Sequence, residues 1–383
     1  MTVSDLTCNA VDVLPEGGLE AKLALGRPLR VKLGIDPTSP DIHFGFAFVL
    51  ERLAAFQREG HTVVLIVGDY TARIGDPSGR SAERPVLPDE VLDANASRFA
   101  DQAYRVLDRD RTEVRFNGEW LGTLSFAEVV RLTRTLTVAR LLERDDFERR
   151  FADHVPISLS ELLYPPMQAY DSVAIEADIE IGGTDQLFNL LSGREVMPHY
   201  GLEPQVVMTF PLLVGTDGEE KMSKSKGNYI GISEPPEEQF GKTMSIPDRA
   251  LPQWWELLVG DLGHPDDPMQ WKLELARRLV TRWHGEEGAR AGEEHFTKVV
   301  RRHEAPDEVT EVALPDGDPV HLPTVLVTSF GVASTSEARR LISQGAVKLD
   351  GDPVTAVDVA RASLGGGVLQ VGKRRFGRLV DTV

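Results

Sequence analysis

The sequence predicts an α/β protein: a parallel-sheet domain over residues 1–231, an all-α segment over 232–303, a linker at 304–320 and a small α+β module over 321–383. Three observations carry that reading. Through the first two-thirds of the chain, short β-branched runs alternate with longer helical stretches, the pattern of strand–helix–strand units and hence of a parallel sheet. Beyond the run EPPEE (234–238) the apolar residues fall instead at three- and four-residue spacing. The last 63 residues then change the sign of the charge: 321–383 hold eight Lys/Arg against five Asp/Glu, a net +3, while the preceding 320 hold 34 against 55, a net −21.

LRVKLGI (29–35) reads as a buried strand, followed by a Pro/Asp/Ser-rich turn and a helix through about Glu59. After a Gly60-His61 break, TVVLIVG (62–68) is the next strand, completing a βαβ unit whose ligands belong at the carboxyl edge of the sheet. TEVRFNGEWL (112–121) and PQVVMTFPLLVG (204–215) are further strand candidates. LPQWWELLVGDL and MQWKLELARRLVTRWHGEEGARAGEEHF read as helices, and the acidic, Pro-rich stretch 304–320 as a linker. In the last module, STSEARRLISQG is a helix capped by Ser334 or Thr335 and stopped by Gly345, and AVKLDG and GGVLQVGKRRFGRLV supply strands.

With 41% hydrophobic and 27% charged residues, 383 residues describe a globular protein of two or three domains. The longest aliphatic run is too short to span a bilayer, and the N-terminus has neither a basic start nor an apolar core, so a cytoplasmic protein without membrane partners is expected. A single cysteine, Cys8, excludes an intrachain disulfide and a paired-thiolate zinc site, and no metal ligands are assigned. A net charge of −18 argues against general coating by nucleic acid, but a basic tail can hold RNA locally.

Three stretches carry chemistry. EEKMSKSKGNYIG (219–231) interleaves Lys221, Lys224 and Lys226 with Ser223 and Ser225, donors suited to closing over a polyphosphate; such loops are also common solvated surfaces. In YPPMQAYD, Tyr164, Gln168 and Asp171 stand at i, i+4 and i+7, one face of a helix, offering a phenol, an amide and a carboxylate to a polar ligand or to solvent. IGGTDQ (181–186) reads as a tight double-glycine turn carrying Asp185 and Gln186.

KMSKS, with a His-x-Gly turn after the first strand, resembles the two nucleotide-binding signatures of class I aminoacyl-tRNA synthetases. LGIDPTSPDIHFG, GDYTARIGDPSGRS, RFNGEWL, YPPMQAYDSVAIEADIEIGGTDQLFNLL, PLLVGTDGEEKMSKSKGNYIGI and ARRLISQGAVKLDG, in that order from about Leu14 to the C-terminus, resemble the bacterial tyrosyl-tRNA synthetases. The resemblance implies a Rossmann-like catalytic domain, a helical anticodon-binding domain and a small RNA-binding module of ribosomal-protein type. It implies ATP with Mg2+, L-tyrosine and tRNA(Tyr) as partners, and a homodimer. Thr38, His43, Lys221 and Lys224 would then act on the departing pyrophosphate. Asp36, Gly45, Phe46, Asp185, Ser223 and Ser225 would line the nucleotide site, with Asp36 near the α-phosphate and Asp185 on the ribose. Tyr164, Gln168 and Asp76 would hold the substrate ammonium, Asp171 its phenolic hydroxyl with support from Asn117, and Gln186 its carboxyl end.

One departure bears on activity. The family normally reads His-x-Gly-His where this chain has His43-Phe44-Gly45-Phe46, and phenylalanine donates no hydrogen bond. Retained charging with compensating contacts, a paralogue with weak or redirected adenylation, and a non-catalytic RNA-binding relative are the three readings open at this point; the other expected groups favour the first. Lys32 also stands where other tyrosyl enzymes place a tyrosine near the substrate hydroxyl, as in its own subgroup.

Overall fold

Six strands form one sheet: β1 (Asp12–Leu14), β2 (Arg30–Ile35), β3 (Thr62–Val67), β4 (Thr112–Phe116), β5 (Ile179–Gly183) and β6 (Val206–Phe210), in the order β1-β6-β5-β2-β3-β4. Only β1 runs antiparallel to its neighbour; the others pair in parallel. The computed structural model describes residues 2–37, 41–76, 88–260, 263–301, 309–372 and 375–381. β3 is a near-continuous apolar run, TVVLIV, as expected of a strand covered on both faces, while β2, RVKLGI, buries Val31 and Leu33 together with the charged Lys32. The chain leaves β2 for β3 and β4 on one side and returns to β5 and β6 on the other, so the strand order reverses at β2 and β5, where open α/β sheets bind ligands.

Two expected strands are shorter than read. RFNGEWL ends as strand at Phe116 and becomes the short Gly118–Leu121 helix, while β6 stops at Phe210, before Pro211. The double-glycine turn is not a turn. Gly182 and Gly183 are the last residues of β5, and both are glycine for close packing: a Cβ on Gly183 would lie 2.7 Å from Leu212 Cδ2 and 2.8 Å from Asp185 Oδ1.

The chain divides into two compact units, Met1–Glu234 with Ser245–Lys272, and Pro235–Met244 with Leu273–Val383. The segment 232–303, read as one helical domain, is thus shared between them. Its Leu251–Leu258 helix packs in the first unit because Trp254 is buried edge-on against Phe44, at 6.4 Å between ring centroids, and donates through Nε1 to the Val214 carbonyl at 3.0 Å.

In the second unit the Pro236–Ser245 and Pro268–Phe296 helices share a core of Phe240, Met244, Ala276, Val280, Ala289 and Phe296. The longer helix is broken at Gly285 (φ 73°, ψ 177°). A separate core fills the C-terminal module, where β7 (Glu311–Ala313), β9 (Val347–Leu349), β10 (Asp352–Pro353), β12 (Val368–Val371) and β13 (Arg375–Val380) form a sheet in the order β10-β9-β12-β13-β7. A pair of short strands, β8 (Val320–His321) and β11 (Asp358–Val359), and the Leu322–Phe330 and Thr335–Ser343 helices complete it. Ser334 caps the second helix by accepting from the Glu337 amide at 3.2 Å, and Gly345 (φ 68°) follows its end. Part of the expected linker is therefore structural: β7 pairs in parallel with β13 and buries Val312 in this core.

Candidate active site

A cavity of ≈ 680 Å³ opens at the carboxyl ends of β2 and β5. That volume lies in the range that encloses drug-sized ligands. Its two walls are built differently.

One wall is buried and already hydrogen-bonded. The Tyr164–Ala174 helix starts with prolines in its first turn, where the missing N–H groups cost nothing, and presents Tyr164, Gln168 and Asp171 to the cavity. Tyr164 donates its hydroxyl to Asp36 Oδ2 at 3.1 Å, and Thr71 donates to Asp36 Oδ1 at 2.8 Å. This close approach needs Gly68, where a Cβ would fall 2.3 Å from Asp36 Oδ1 and 2.4 Å from Thr71 Oγ1. Burial and the facing carboxylates Asp36 and Asp76 hold the Tyr164 phenol well above its ordinary pKa, so it stays a neutral donor. Asp171 accepts from Trp120 Nε1 at 2.8 Å and from Asn117 Nδ2 at 3.3 Å. Burial lifts its pKa to about 6, against the opposing pull of Lys32, Trp120 and Asn117. Gln168 Oε1 is buried with no hydrogen-bond partner, an acceptor facing a polar cavity.

Beneath this wall, Lys32 is paired with Glu180 at 2.7 Å, both side chains sealed from solvent. Parallel register sets Lys32 of β2 opposite Glu180 of β5, so the two side chains share a face. The Lys32 ammonium also donates to Ser172 Oγ at 2.8 Å and to the Gln168 carbonyl at 3.1 Å, fixing the helix that carries Gln168 and Asp171. At the rim, Gln186 donates to Asp76 Oδ2 at 2.9 Å.

The other wall is carried by a turn and a loop. His43 caps the Phe44–Arg58 helix, its Nδ1 accepting from the Phe46 amide at 3.2 Å. Burial, with Lys224 nearby, depresses the imidazole pKa to about 4, so at neutral pH it is uncharged. With Nδ1 accepting, the ring proton sits on Nε2. Phe46 packs edge-on against Phe99 at 5.1 Å between centroids. Across from them the lysine loop is pinned at both ends, Lys221 bridging to Val214 and Gly231 to His43. Inside it, buried Asn228 accepts from the Ser223 amide at 2.8 Å and donates to Asp217 at 2.6 Å. Lys221 is paired with Asp185 at 2.6 Å. Lys224 donates to the Asp41 carbonyl and stands 3.9 Å from the Asp41 carboxylate; burial lowers its pKa to about 8. Ser223 and Ser225 hydroxyls meet at 2.9 Å.

The structure brings Asp36, His43, Gly45, Phe46, Asp76, Asn117, Tyr164, Gln168, Asp171, Asp185, Gln186, Lys221, Ser223 and Ser225 to this one cavity. Thr38 lies outside the described residues. Lys224 does not line the cavity, whereas Lys226, held at 2.5 Å by Glu220, does. Sequence reasoning missed Thr71, Trp120 and Glu180. The first two lie inside quoted motifs, GDYTARIG and RFNGEWL, but only the fold shows that they face Asp36 and Asp171. Among the described residues no group of three or more His, Cys, Asp or Glu is placed to hold a metal ion.

The family model for tRNA synthetases class I (W and Y) matches residues 24–298, and that for the S4 domain matches 321–358. The tyrosine–tRNA ligase of Moorella thermoacetica is 50% identical over 388 residues, covering 96% of this chain and 93% of its own. That of Thermotoga maritima is 48% identical over 390 residues, covering 98% and 96%. In fold, the chain is similar to a C-terminally truncated Aspergillus nidulans mitochondrial tyrosyl-tRNA synthetase, with TM-score 0.62, 21% identity, and coverage of 76% of this chain and 91% of that one. It is also similar to the Archaeoglobus fulgidus tyrosyl-tRNA synthetase complexed with L-tyrosine, with TM-score 0.60, 24% identity, and coverage of 75% and 97%. With a family model spanning most of its length and relatives about half identical along nearly all of it, the chain belongs to the tRNA synthetases class I (W and Y).

Proposed function

We propose that the chain is a tyrosine–tRNA ligase, which joins L-tyrosine to ATP as tyrosyl-adenylate, releases pyrophosphate and transfers the tyrosyl group to the 3′ end of tRNA(Tyr). The observation that carries the substrate is buried Asp171, held by Trp120 and Asn117 in a cavity that His43 and Lys221 line as well. A tyrosine hydroxyl donates to this carboxylate beside Trp120 and Asn117; phenylalanine leaves that further acceptor position buried and unfilled, and sites of this kind reject such an analogue by roughly 10⁴–10⁵-fold.

At the other end of the amino acid, the ammonium meets acceptors. Gln168 Oε1 lacks a partner, the Tyr164 oxygen keeps lone pairs after donating to Asp36, and Asp76 is a carboxylate at the rim. Asp36, expected near the α-phosphate, fits this set better, because a carboxylate already holding Tyr164 and Thr71 would repel a phosphate. Catalysis is then positioning and electrostatics: the tyrosine carboxylate attacks the α-phosphorus in line. On the leaving side, His43 donates from Nε2, the Ser223 and Ser225 hydroxyls donate, and Lys221 supplies charge, joined by Lys224 once it leaves Asp41; Thr38, outside the described residues, is assigned here on the family resemblance alone. Asp185 takes the ribose, which requires Lys221 to exchange its present carboxylate for phosphate. Mg2+ enters as part of the nucleotide substrate.

The C-terminal module exposes Arg339, Arg340, Arg375 and Arg378, a basic set suited to RNA phosphates, and the helical part of the second unit is assigned to the anticodon. Of eleven large apolar side chains that are exposed among the described residues, seven lie in 116–159, including Phe126, Phe151 and Leu159; this supports a homodimer through that segment. The working compartment in this reading is the cytoplasm.

Tyrosine-dependent ATP–pyrophosphate exchange tests the activity. The unaltered chain is expected to exchange, and absence of exchange both there and in Phe46→His would sink the proposal. Exchange without transfer to tRNA(Tyr) would point to another acceptor.

A further inference from the structure

The rim pair Asp76–Gln186 is the outer end of a longer chain of side chains. Gln186 Oε1 accepts from Asn189 Nδ2 at 3.0 Å, and Asn189 Oδ1 accepts from Arg144 at 3.0 Å. The Arg144 guanidinium returns to Asp76 Oδ1 at 3.6 Å, closing a ring of four residues. Arg144 comes from outside every motif of the sequence, in the charged run LLERDDFERRF. Its side chain is buried, gripped by Asp146 at 2.8 and 3.0 Å and flanked by the rings of Phe147 and Phe188.

This chain of bonds has a direction. A guanidinium only donates and a carboxylate only accepts, whereas each amide between them can turn either way. Arg144 therefore demands an oxygen from Asn189, which leaves Asn189 to offer its NH2 to Gln186. Gln186 must then present oxygen to Asn189 and NH2 to Asp76. With both ends fixed, neither amide has a second arrangement that satisfies the ring, and the low local dielectric makes a reversed amide costly.

We propose that Arg144 is a positioning residue for the amino-acid subsite: acting through Asn189, it sets the orientation of the Gln186 amide and of the Asp76 carboxylate that the substrate meets. The assignment rests on the reading of the cavity as a tyrosine site. Arg144 itself touches no substrate; it acts at the far end of two amides.

The test uses the full chain and two readouts: the tyrosine Kd by calorimetry, and KM for tyrosine and for ATP in pyrophosphate exchange. Arg144→Met removes the fixed donor and is expected to weaken tyrosine about tenfold while moving the KM for ATP less than about twofold. Arg144→Lys, still a donor without an acceptor, is expected to recover most of that loss. Asn189→Asp keeps the Arg144–Asp146 grip but offers Gln186 only oxygen, turning its amide so that oxygen faces Asp76; a loss of about tenfold is expected here too. Should Arg144→Met fail to fold, Asn189→Asp decides alone. Tyrosine affinity within about twofold of the unaltered chain in Asn189→Asp, or an equal shift in the KM for ATP, overturns the proposal. So does an unaltered chain that binds no tyrosine. An unaltered chain that binds tyrosine but does not exchange breaks the ligase reading and leaves this one to be judged by the Kd values.

Discussion

The two walls of the cavity hold their polar groups in opposite ways. On the amino-acid side, Asp171, Asn117, Tyr164 and Asp36 are bonded to one another on strands, helices and their ends, with the Lys32–Glu180 pair sealed below. On the nucleotide side, Lys221, Lys224 and Lys226 ride on a loop, each held by a carboxylate or carbonyl that it must release to meet a phosphate. Recognition of one hydroxyl among similar side chains needs groups that cannot relax toward the wrong ligand. Stabilising charge that moves from one phosphate to the next needs groups that can travel.

Breaking the rigid wall should give the largest effect. Asp171→Asn is expected to collapse discrimination between tyrosine and phenylalanine from the roughly 10⁴–10⁵-fold range to below about 10²-fold, read as the ratio of kcat/KM values in exchange. Preserved discrimination would place selectivity elsewhere. The same carboxyl gives a pH signature. With its pKa lifted to about 6, it takes up a proton as pH falls through that value, and tyrosine affinity should fall with it. In the fold, a raised carboxyl pKa has the opposite consequence: its favourable contribution is complete below the ordinary value near 3.8 and is lost as pH rises through about 6.

Breaking the lysine-loop wall should cost rate and spare binding. Lys224→Met is expected to lower the exchange kcat by about 10²–10³ and leave the tyrosine Kd within about twofold. An unchanged kcat would remove Lys224 from the machinery. Because its pKa is depressed to about 8, the ammonium is lost above that pH and the wild-type rate should decline there, while Lys224→Arg should carry the decline to higher pH.

Two further effects, one on stability and one on rate, sharpen the contrast. Lys32→Met strands Glu180 in the core and should destabilise the protein by about 3–5 kcal/mol in urea unfolding, a figure that a well-hydrated pair would not approach. Phe46→His should raise the exchange rate, by less than about tenfold: it adds a donor to the nucleotide wall and gives up the edge contact with Phe99. No rise would mean that the half-buried Phe46 is purely a packing residue.

The parallel sheet was legible in the β-branched runs of β2 and β3, and so was the polar helix face, because Tyr164, Gln168 and Asp171 repeat at helical spacing. Gly182 and Gly183 were misread because a glycine needed for close packing looks the same in sequence as one needed for a turn. Ser245–Lys272 packs with the first compact unit and not with the rest of 232–303, which the sequence does not disclose because an amphipathic helix does not say which core Trp254 enters. Arg144 and Glu180 were invisible for another reason. An arginine in a charged run and a glutamate in a strand look solvated until register and crossover connections bring Asn189 and Lys32 against them.

The pinned ends of the lysine loop bear on timing. Between the bridges at Lys221 and Gly231 the loop is folded around buried Asn228, and active-site loops that open and close move in microseconds to milliseconds. Enzymes of ordinary speed turn over about 1–10³ times per second. Parting from Asp185 and Asp41 therefore falls on the timescale of turnover itself, so that opening of the loop can set the pace of the reaction.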